Sequence, residues 1–268
     1  MAETEYLLGG TPTELERLLR QSEGFVPEAR WLIERIGVQR GWRVVDVGCG
    51  PLGILDLLSE AVGTSGEVFG LEREERFVEL GRGVLNERGL DHVRLLQGDA
   101  NAVVLPHGTF DLVHERLVIL QQPDPQRMLA EMVALARHGG IVASQEIDQA
   151  SWLCYPPHPA WDRLLDAFQS VCLRRGVDLF IGRRLAELSR AAGLVDVEVE
   201  AHVRLDRPGD YRRTHLLSLV ESVVASGTDL GLSEDELQEL KHSLLIHFAD
   251  QRTIVVRELL FQAWGRKP

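Results

Sequence analysis

The chain has 268 residues, of which 44% are hydrophobic and 26% charged, an ordinary composition for a globular protein. Its net charge of −12 at pH 7 argues against nucleic acid as a partner and against stable membrane association. The three cysteines show no metal-site or disulfide spacing and the N-terminus resembles no signal peptide, so we expect a cytoplasmic protein without a metal ion.

The first half of the chain alternates between predicted helices and strands. Two helices come first, at 11–22 and 27–36, as the spacing of their apolar residues indicates. Short apolar runs then predict strands at 43–47, 67–71, 92–96, 110–114 and 140–147. Helices are predicted between them, near 54–62, 74–88 and 124–137. This alternation favours a parallel sheet with helices on both faces.

The second half is less regular. It predicts helices near 160–175, 183–192, 211–226 and 233–249, and strands at 195–203 and 257–264. We expect a single α/β domain with a Rossmann-like, doubly wound, mostly parallel seven-stranded sheet, a last antiparallel strand and a helical lid. Its expected parts are an N-terminal lid helix (1–22), the core (23–204, with an insertion at 148–180), a helical lid insertion (205–250) and the last core strand (251–268).

A glycine-rich loop, Gly48-Cys-Gly-Pro-Leu-Gly53, follows the first predicted strand and precedes a helix. Such a loop lets the backbone turn sharply and lets a ligand approach the helix N-terminus. The spacing alone also fits a dinucleotide. Asp46, just before the loop, is unfavourable beside a pyrophosphate and favours a cationic ligand, although it could equally bond to amides of the loop.

Val45–Gly53 resembles the first motif of class I S-adenosylmethionine-dependent methyltransferases, most closely the ubiquinone/menaquinone-type and natural-product small-molecule enzymes. The resemblance implies that Glu72 binds the ribose hydroxyls, that Asp99 binds the adenine amine, and that residues 114–116 border the methionine end. We expect Glu72 to contribute little to the stability of the ligand-free protein. The cofactor-binding residues implied are Tyr6, Gln21, Asp46, Gly48, Cys49, Gly50, Glu72, Arg73, Gly98, Asp99, Ala100, Glu115 and Arg116.

The implied reaction is methyl transfer to O, N or C of a small-molecule acceptor, in natural-product or quinone biosynthesis. In-line displacement needs mainly alignment and exclusion of water. Many relatives carry a histidine where this chain has Gln121, so a base, if one is used, comes from elsewhere. The candidates for catalysis are Glu146, Asp148 and His202, and those for substrate binding are Trp152, Tyr155 and His215.

Two alternatives stay open at this point. One is a cyclase or isomerase that binds S-adenosylmethionine on the same scaffold without transferring its methyl group. The other is an NAD-dependent oxidoreductase, which the glycine spacing permits but Asp46 disfavours. The sequence leaves open which molecule is methylated and whether the chain is a monomer or a homodimer.

Overall fold

A seven-stranded sheet forms the centre of the protein in the computed structural model, which describes residues 7–8, 12–206, 208 and 210–268. The strands are β1 (Arg43–Val47), β2 (Glu67–Glu72), β3 (Arg94–Gln97), β4 (Phe110–Arg116), β5 (Ala136–Asp148), β6 (Leu153–Tyr155), β7 (Val195–His202), β8 (Leu205–Asp206), β9 (Ile254–Val256) and β10 (Leu259–Arg266). The helices are α1 (Pro12–Gly24), α2 (Val26–Ile36), α3 (Leu55–Val62), α4 (Glu75–Glu87), α5 (Pro125–Leu135), α6 (Pro159–Arg174), α7 (Leu185–Ala191), α8 (His215–Ala225) and α9 (Glu234–Ala249).

The order of the large sheet is β3-β2-β1-β4-β5-β10-β7. The pairs from β3 to β5 are parallel, whereas β10 runs antiparallel to both of its neighbours, β5 and β7. The order reverses between β1 and β4, which is where open α/β sheets bind ligands, beyond the carboxyl ends of the strands. The predicted Rossmann-like sheet with its antiparallel last strand is therefore confirmed.

Local chemistry explains where these elements begin and end. β1 is a run of β-branched residues around Asp46, and four of its five side chains are buried, as expected of a strand covered on both faces. Asp124 caps α5 by accepting a hydrogen bond from the Arg127 amide, and Pro125 occupies the first turn. Gly37 ends α2 in the left-handed conformation.

A second, smaller sheet was not predicted. It has the order β6-β9-β8, and Val256 of β9 pairs with Leu153 on one side and Leu205 on the other. Strands of two or three residues are too short for an alternating pattern to stand out, which is why no strand was predicted at 153–155 or 205–206 and why 254–256 was assigned only to the last core strand. The predicted helix at 211–226 begins with a short 3₁₀ turn at 211–214 before α8.

Helices cover the edge where β1, β4 and β5 end. α8 packs against α1 and α6, and α6 also packs against α9. Within the described residues, none of the helices has the length and hydropathy needed to span a membrane. Nor does this part of the chain gather three metal-binding side chains of the His, Cys, Asp or Glu type.

Candidate functional site

One cavity of about 1190 Å³ lies between the carboxyl edge of the sheet and the covering helices. Its floor comes from the turns after β1, β2, β3, β4 and β5, and its roof from α1, α6 and the start of α8. Eleven of the thirteen residues predicted to bind the cofactor line it: Gln21, Asp46, Gly48, Cys49, Gly50, Glu72, Arg73, Gly98, Asp99, Ala100 and Arg116. Of the other two, Tyr6 lies outside the described residues and Glu115 is buried behind the cavity wall. The fold therefore brings together residues that are far apart in the sequence.

The glycine loop is held tightly on one side and open on the other. A Cβ added to Gly53 would lie 2.2 Å from Asp46 Oδ2, so no larger residue fits there, and Gly53 also has a positive φ of 55°. Gly50 has φ 58°, and a Cβ at this position would meet no atom within 4 Å. The loop thus presents an unobstructed stretch of backbone to the cavity at Gly50.

Glu72 ties the glycine loop to the turn that follows β2. Its Oε2 accepts a hydrogen bond of 2.8 Å from the Gly50 amide, and its Oε1 accepts one of 2.8 Å from the Glu74 amide. Burial raises the pKa of the Glu72 carboxyl, and the two amide hydrogen bonds oppose that rise. Each carboxylate oxygen still has a free lone pair, so the group can accept further hydrogen bonds from a ligand.

Asp99 lies on the opposite rim. Its Oδ1 accepts from the Asn101 amide at 2.8 Å, while no partner of its Oδ2 is found among the residues that the structure describes. An exposed carboxylate oxygen next to the cavity is suited to accept a hydrogen bond from an amine of a bound ligand.

A buried polar network connects Asp46 to three neighbouring strands. Asp46 Oδ2 accepts from the Ile54 amide at 3.1 Å, and Asp46 Oδ1 lies 2.7 Å from His114 Nδ1 on β4. His114 Nε2 lies 3.0 Å from Gln145 Oε1 on β5, and Gln145 donates to Gln262 on β10. Asp46 thus accepts from the amide that directly follows the glycine loop, and its contact with His114 was not predicted.

α1 contributes the polar part of the roof. Arg17 forms a bidentate ion pair with Glu14, with both distances 2.7 Å, and also donates to Gln21. The predicted common face of Arg17 and Gln21 is therefore confirmed. Nearby, Arg116 Nη2 donates weakly to the carbonyl of Gly53 at 3.3 Å, whereas its buried Nη1 has no hydrogen-bond partner among the residues that the structure describes.

The half of the cavity above β5 and β10 is mainly apolar. Its apolar lining consists of Phe25, Ile147, Phe168, Cys172, Val177, Leu179 and Leu219. Gln149, Arg175, His215 and Glu258 add polar groups to this half. His215 is thus the one predicted substrate-binding residue that reaches the cavity. Trp152 lies behind His215, with ring centroids 6.0 Å apart, and Tyr155 is 60% exposed on the surface.

The three candidates for catalysis do not line this cavity, and their role stays a prediction. Asp148 forms an ion pair with Arg183, with Nη2 2.7 Å from Oδ1. His202 packs edge-on against Trp31, with centroids 4.6 Å apart, and is not among the residues that line the cavity. Glu146 is fully buried and accepts from the Leu120 amide at 3.0 Å.

Glu115 and Glu146 support the turn that follows β4. Glu115 Oε2 accepts from the amides of Val118 and Ile119, at 3.2 and 3.4 Å. Burial raises the pKa of Glu115 to about 7, and it raises the pKa of Glu146 well above its usual value, to which the nearby Glu115 carboxyl also contributes. Sharing a proton lets such a pair exist without two buried negative charges.

Glu258, Phe25 and Gln149 are cavity residues that the sequence did not single out. One signal was available for Glu258. The start of an antiparallel strand lies beside the end of its parallel neighbour, and Leu259 does pair with Asp148 at the end of β5. The residues just before the last strand could therefore be expected near the carboxyl edge of the sheet, where ligands bind.

Comparisons with known proteins agree with this geometry. A model of the methyltransferase domain family matches residues 39–173. A demethylmenaquinone methyltransferase from Geobacillus stearothermophilus is 32% identical over 183 residues, which cover 64% of this chain and 78% of that protein.

Two solved structures share the fold. A proposed methyltransferase from Bacillus halodurans superposes with a TM-score of 0.60 at 15% identity, covering 88% of this chain and 97% of that one. Phosphoethanolamine N-methyltransferase 2 from Haemonchus contortus, solved with phosphomonomethylethanolamine and S-adenosylhomocysteine, gives 0.57 at 18% identity, covering 88% and 51%. With the domain match and the bacterial relative, the chain belongs to the methyltransferase domain family, as a class I S-adenosylmethionine-dependent enzyme.

Proposed function

We propose that this enzyme transfers the methyl group of S-adenosylmethionine to a small, largely apolar acceptor. The observation that carries the proposal is that one cavity joins the motif residues over β1, β2 and β3 to an apolar half over β5 and β10. The relatives named demethylmenaquinone methyltransferases support an aromatic acceptor, such as a quinol ring. The net charge of −12 supports an enzyme without a nucleic-acid partner, and the three cysteines without disulfide or metal-site spacing support a cytoplasmic location.

The residues present fit the cofactor. Glu72 has acceptor capacity for the two ribose hydroxyls, and Asp99 Oδ2 has it for the adenine amine. The open backbone at Gly50 leaves room for a ligand beside the loop. Gln21 and Arg116 are suited to bind the carboxylate of the methionine part, since Arg116 Nη1 has no partner within the described part of the chain.

Once bound, the cofactor supplies a methyl group that is already activated by the sulfonium. The protein then has to align the acceptor with that methyl and keep water out. Phe25, Phe168 and Leu219 give the acceptor an apolar surface below the roof. We propose that α1 and the 205–250 insertion act as the lid over this cavity.

Calorimetry with S-adenosylhomocysteine tests the cofactor assignment. We expect a dissociation constant in the micromolar range, equivalent to about −7 to −8 kcal/mol. NADH serves as the matched control and is expected not to bind. Binding of NADH in place of S-adenosylhomocysteine would contradict the proposal and revive the oxidoreductase alternative.

Transfer of a labelled methyl group to a panel of naphthoquinols and related phenols tests the reaction itself. Label in a product that mass spectrometry identifies supports the proposal. Rearrangement of the acceptor without loss of the label from the cofactor would instead favour the cyclase or isomerase alternative.

A further inference from the structure

Glu258 is a buried carboxyl group that lines the cavity and lacks a full set of partners. It lies in the turn between β9 and β10, its side chain is 7% exposed, and its Oε2 has no hydrogen-bond partner among the described residues. Because Leu259 pairs with Asp148, this turn lies beside the end of β5, in the apolar half of the cavity. A buried, unsatisfied carboxyl costs stability, so its presence at a cavity points to a ligand.

Two arginines act electrostatically on Glu258, and each of them also contacts other residues. Arg257 forms an ion pair with Asp206, with Nε 3.2 Å from Oδ1, and lies over the ring of Phe25. Arg212 donates to Asp210 and to the carbonyl of Gly24. Burial raises the pKa of Glu258 although both arginines lower it. A carboxylate with a raised pKa is a stronger base than an exposed one.

His215 faces the same region from the first turn of α8. It shares the neighbours Arg212 and Arg257 with Glu258, and Arg17 is also close. Burial, followed by these three guanidinium groups, lowers the pKa of His215 to about 3. The imidazole is therefore neutral at physiological pH and offers one donor and one acceptor nitrogen, while it is too weak a base to take a proton from a hydroxyl.

We propose that Glu258 and His215 form the binding site for a hydroxyl group of the acceptor, and that Glu258 receives the proton of that hydroxyl. This inference rests on the proposed function and narrows the acceptor to a neutral, mainly apolar phenol or enol. In the step, a bond forms between the acceptor oxygen and the methyl carbon, and the carbon–sulfur bond breaks with its electron pair staying on sulfur. The O–H proton passes to the Glu258 carboxylate, so charge and atoms balance.

The pH dependence of stability tests the state of Glu258 without any acceptor. A pKa raised in the folded protein means that stability is fully present below the usual value of 4.5 and is lost as the pH rises through the folded pKa. Glu258→Gln removes this loss. We expect the variant to melt about 2–4 °C higher than the wild type at about pH 8, with the difference vanishing towards pH 4.5.

Glu200→Gln is the matched control, because Glu200 is an exposed carboxylate on β7. It should not change the melting temperature in a pH-dependent way. A Glu258→Gln variant that melts lower than the wild type at every pH would show that Glu258 is a structural residue and would overturn the inference.

Probe binding tests the proposed contact directly. Para-cresol carries the hydroxyl and is neutral at physiological pH, and para-methylanisole is the matched compound in which the hydroxyl is methylated. With S-adenosylhomocysteine bound, we expect the wild type to prefer the phenol by roughly tenfold, the effect of about one hydrogen bond to a charged group. Glu258→Gln should reduce this preference towards equality and leave the affinity for S-adenosylhomocysteine unchanged.

The outcomes separate the two proposals. If S-adenosylhomocysteine does not bind the wild type, the proposed function fails. If it binds, but neither probe binds or the preference survives in Glu258→Gln, only the hydroxyl site is wrong.

Discussion

The two oxygens of Glu72 connect the glycine loop with the turn after β2, as well as facing the cavity. Replacing the residue by alanine removes the acceptors for the Gly50 and Glu74 amides and those proposed for the ribose. We expect Glu72→Ala to weaken binding of S-adenosylhomocysteine by about 1.5–3 kcal/mol, measured by calorimetry. The melting temperature of the ligand-free protein should also fall, contrary to the sequence-based expectation, because the Gly50 and Glu74 amides lose their partner.

Glu79→Ala is a suitable control, since Glu79 is an exposed residue of the neighbouring helix α4. It should change neither quantity measurably. An unchanged affinity in Glu72→Ala, together with a lower melting temperature, would mean that Glu72 holds the loop but does not touch the ligand.

The sequence did not predict on which face of β5 the side chain of Glu146 lies relative to the cavity. Alternation along β5 correctly groups Glu146 with Asp148, but alternation does not tell which face of the strand meets the ligand. In the structure it is Ile147, on the opposite face, that lines the cavity, while Glu146 supports the Leu120 amide. The loop glycines could be placed from the sequence because their spacing fixes their position relative to a helix N-terminus, whereas Glu72 and Asp99 were implied by the resemblance to the family.

Among the elements, α1 and α8 carry the contacts of the proposed lid. α1 supplies Arg17 and Gln21 to the cavity and α8 supplies His215 and Leu219, whereas α9 supplies no lining residue. We expect S-adenosylhomocysteine to slow amide hydrogen exchange in α1 and at the start of α8, because closure protects segments that open locally. Exchange in α9 should stay the same and provides the internal reference.

Mass spectrometry of the exchanged peptides also identifies the result that would contradict the lid. Protection confined to the glycine loop and to the turn at Gly98 would mean that the cavity is open in the bound state and that α1 and α8 do not act as a lid.

The elements that the sequence predicted well are long helices, in which apolar residues recur at helical spacing over several turns. α6 spans Pro159–Arg174 where a helix near 160–175 was expected, and α9 spans Glu234–Ala249 where one at 233–249 was expected. β6, β8 and β9 could not be predicted in this way, because their pairing joins segments that are about 50 to 100 residues apart and local patterns do not encode such pairing.

At the scale of the whole molecule, the three thiols report on global unfolding. Cys154 and Cys172 lie in one apolar cluster and Cys49 in the other. Burial raises the pKa of Cys154 to about 11 and that of Cys172 to about 12, and it also raises the pKa of Cys49. Because the thiolate is the reactive form, we expect iodoacetamide to modify the native protein no faster than it unfolds.

Labelling at a series of denaturant concentrations, followed by peptide mass spectrometry, measures how the modification of each cysteine depends on unfolding. All three cysteines should react with the same dependence on denaturant as the loss of helical circular dichroism. Rapid labelling of Cys49 or Cys172 under native conditions would show instead that the cavity opens locally.

The position of β10 has a consequence for how the chain must be assembled. β10 follows every other strand in the chain, yet it lies between β5 and β7 and is the partner of both. Until residues 259–266 have been synthesised, β5 has an unpaired hydrogen-bonding edge, and the side chain of Gln145 lacks its acceptor, Gln262. An open strand edge invites pairing with other chains. During synthesis the nascent chain therefore carries its greatest risk of aggregation just before its last strand docks, and closing the sheet depends on contacts of high sequence separation, which form slowly.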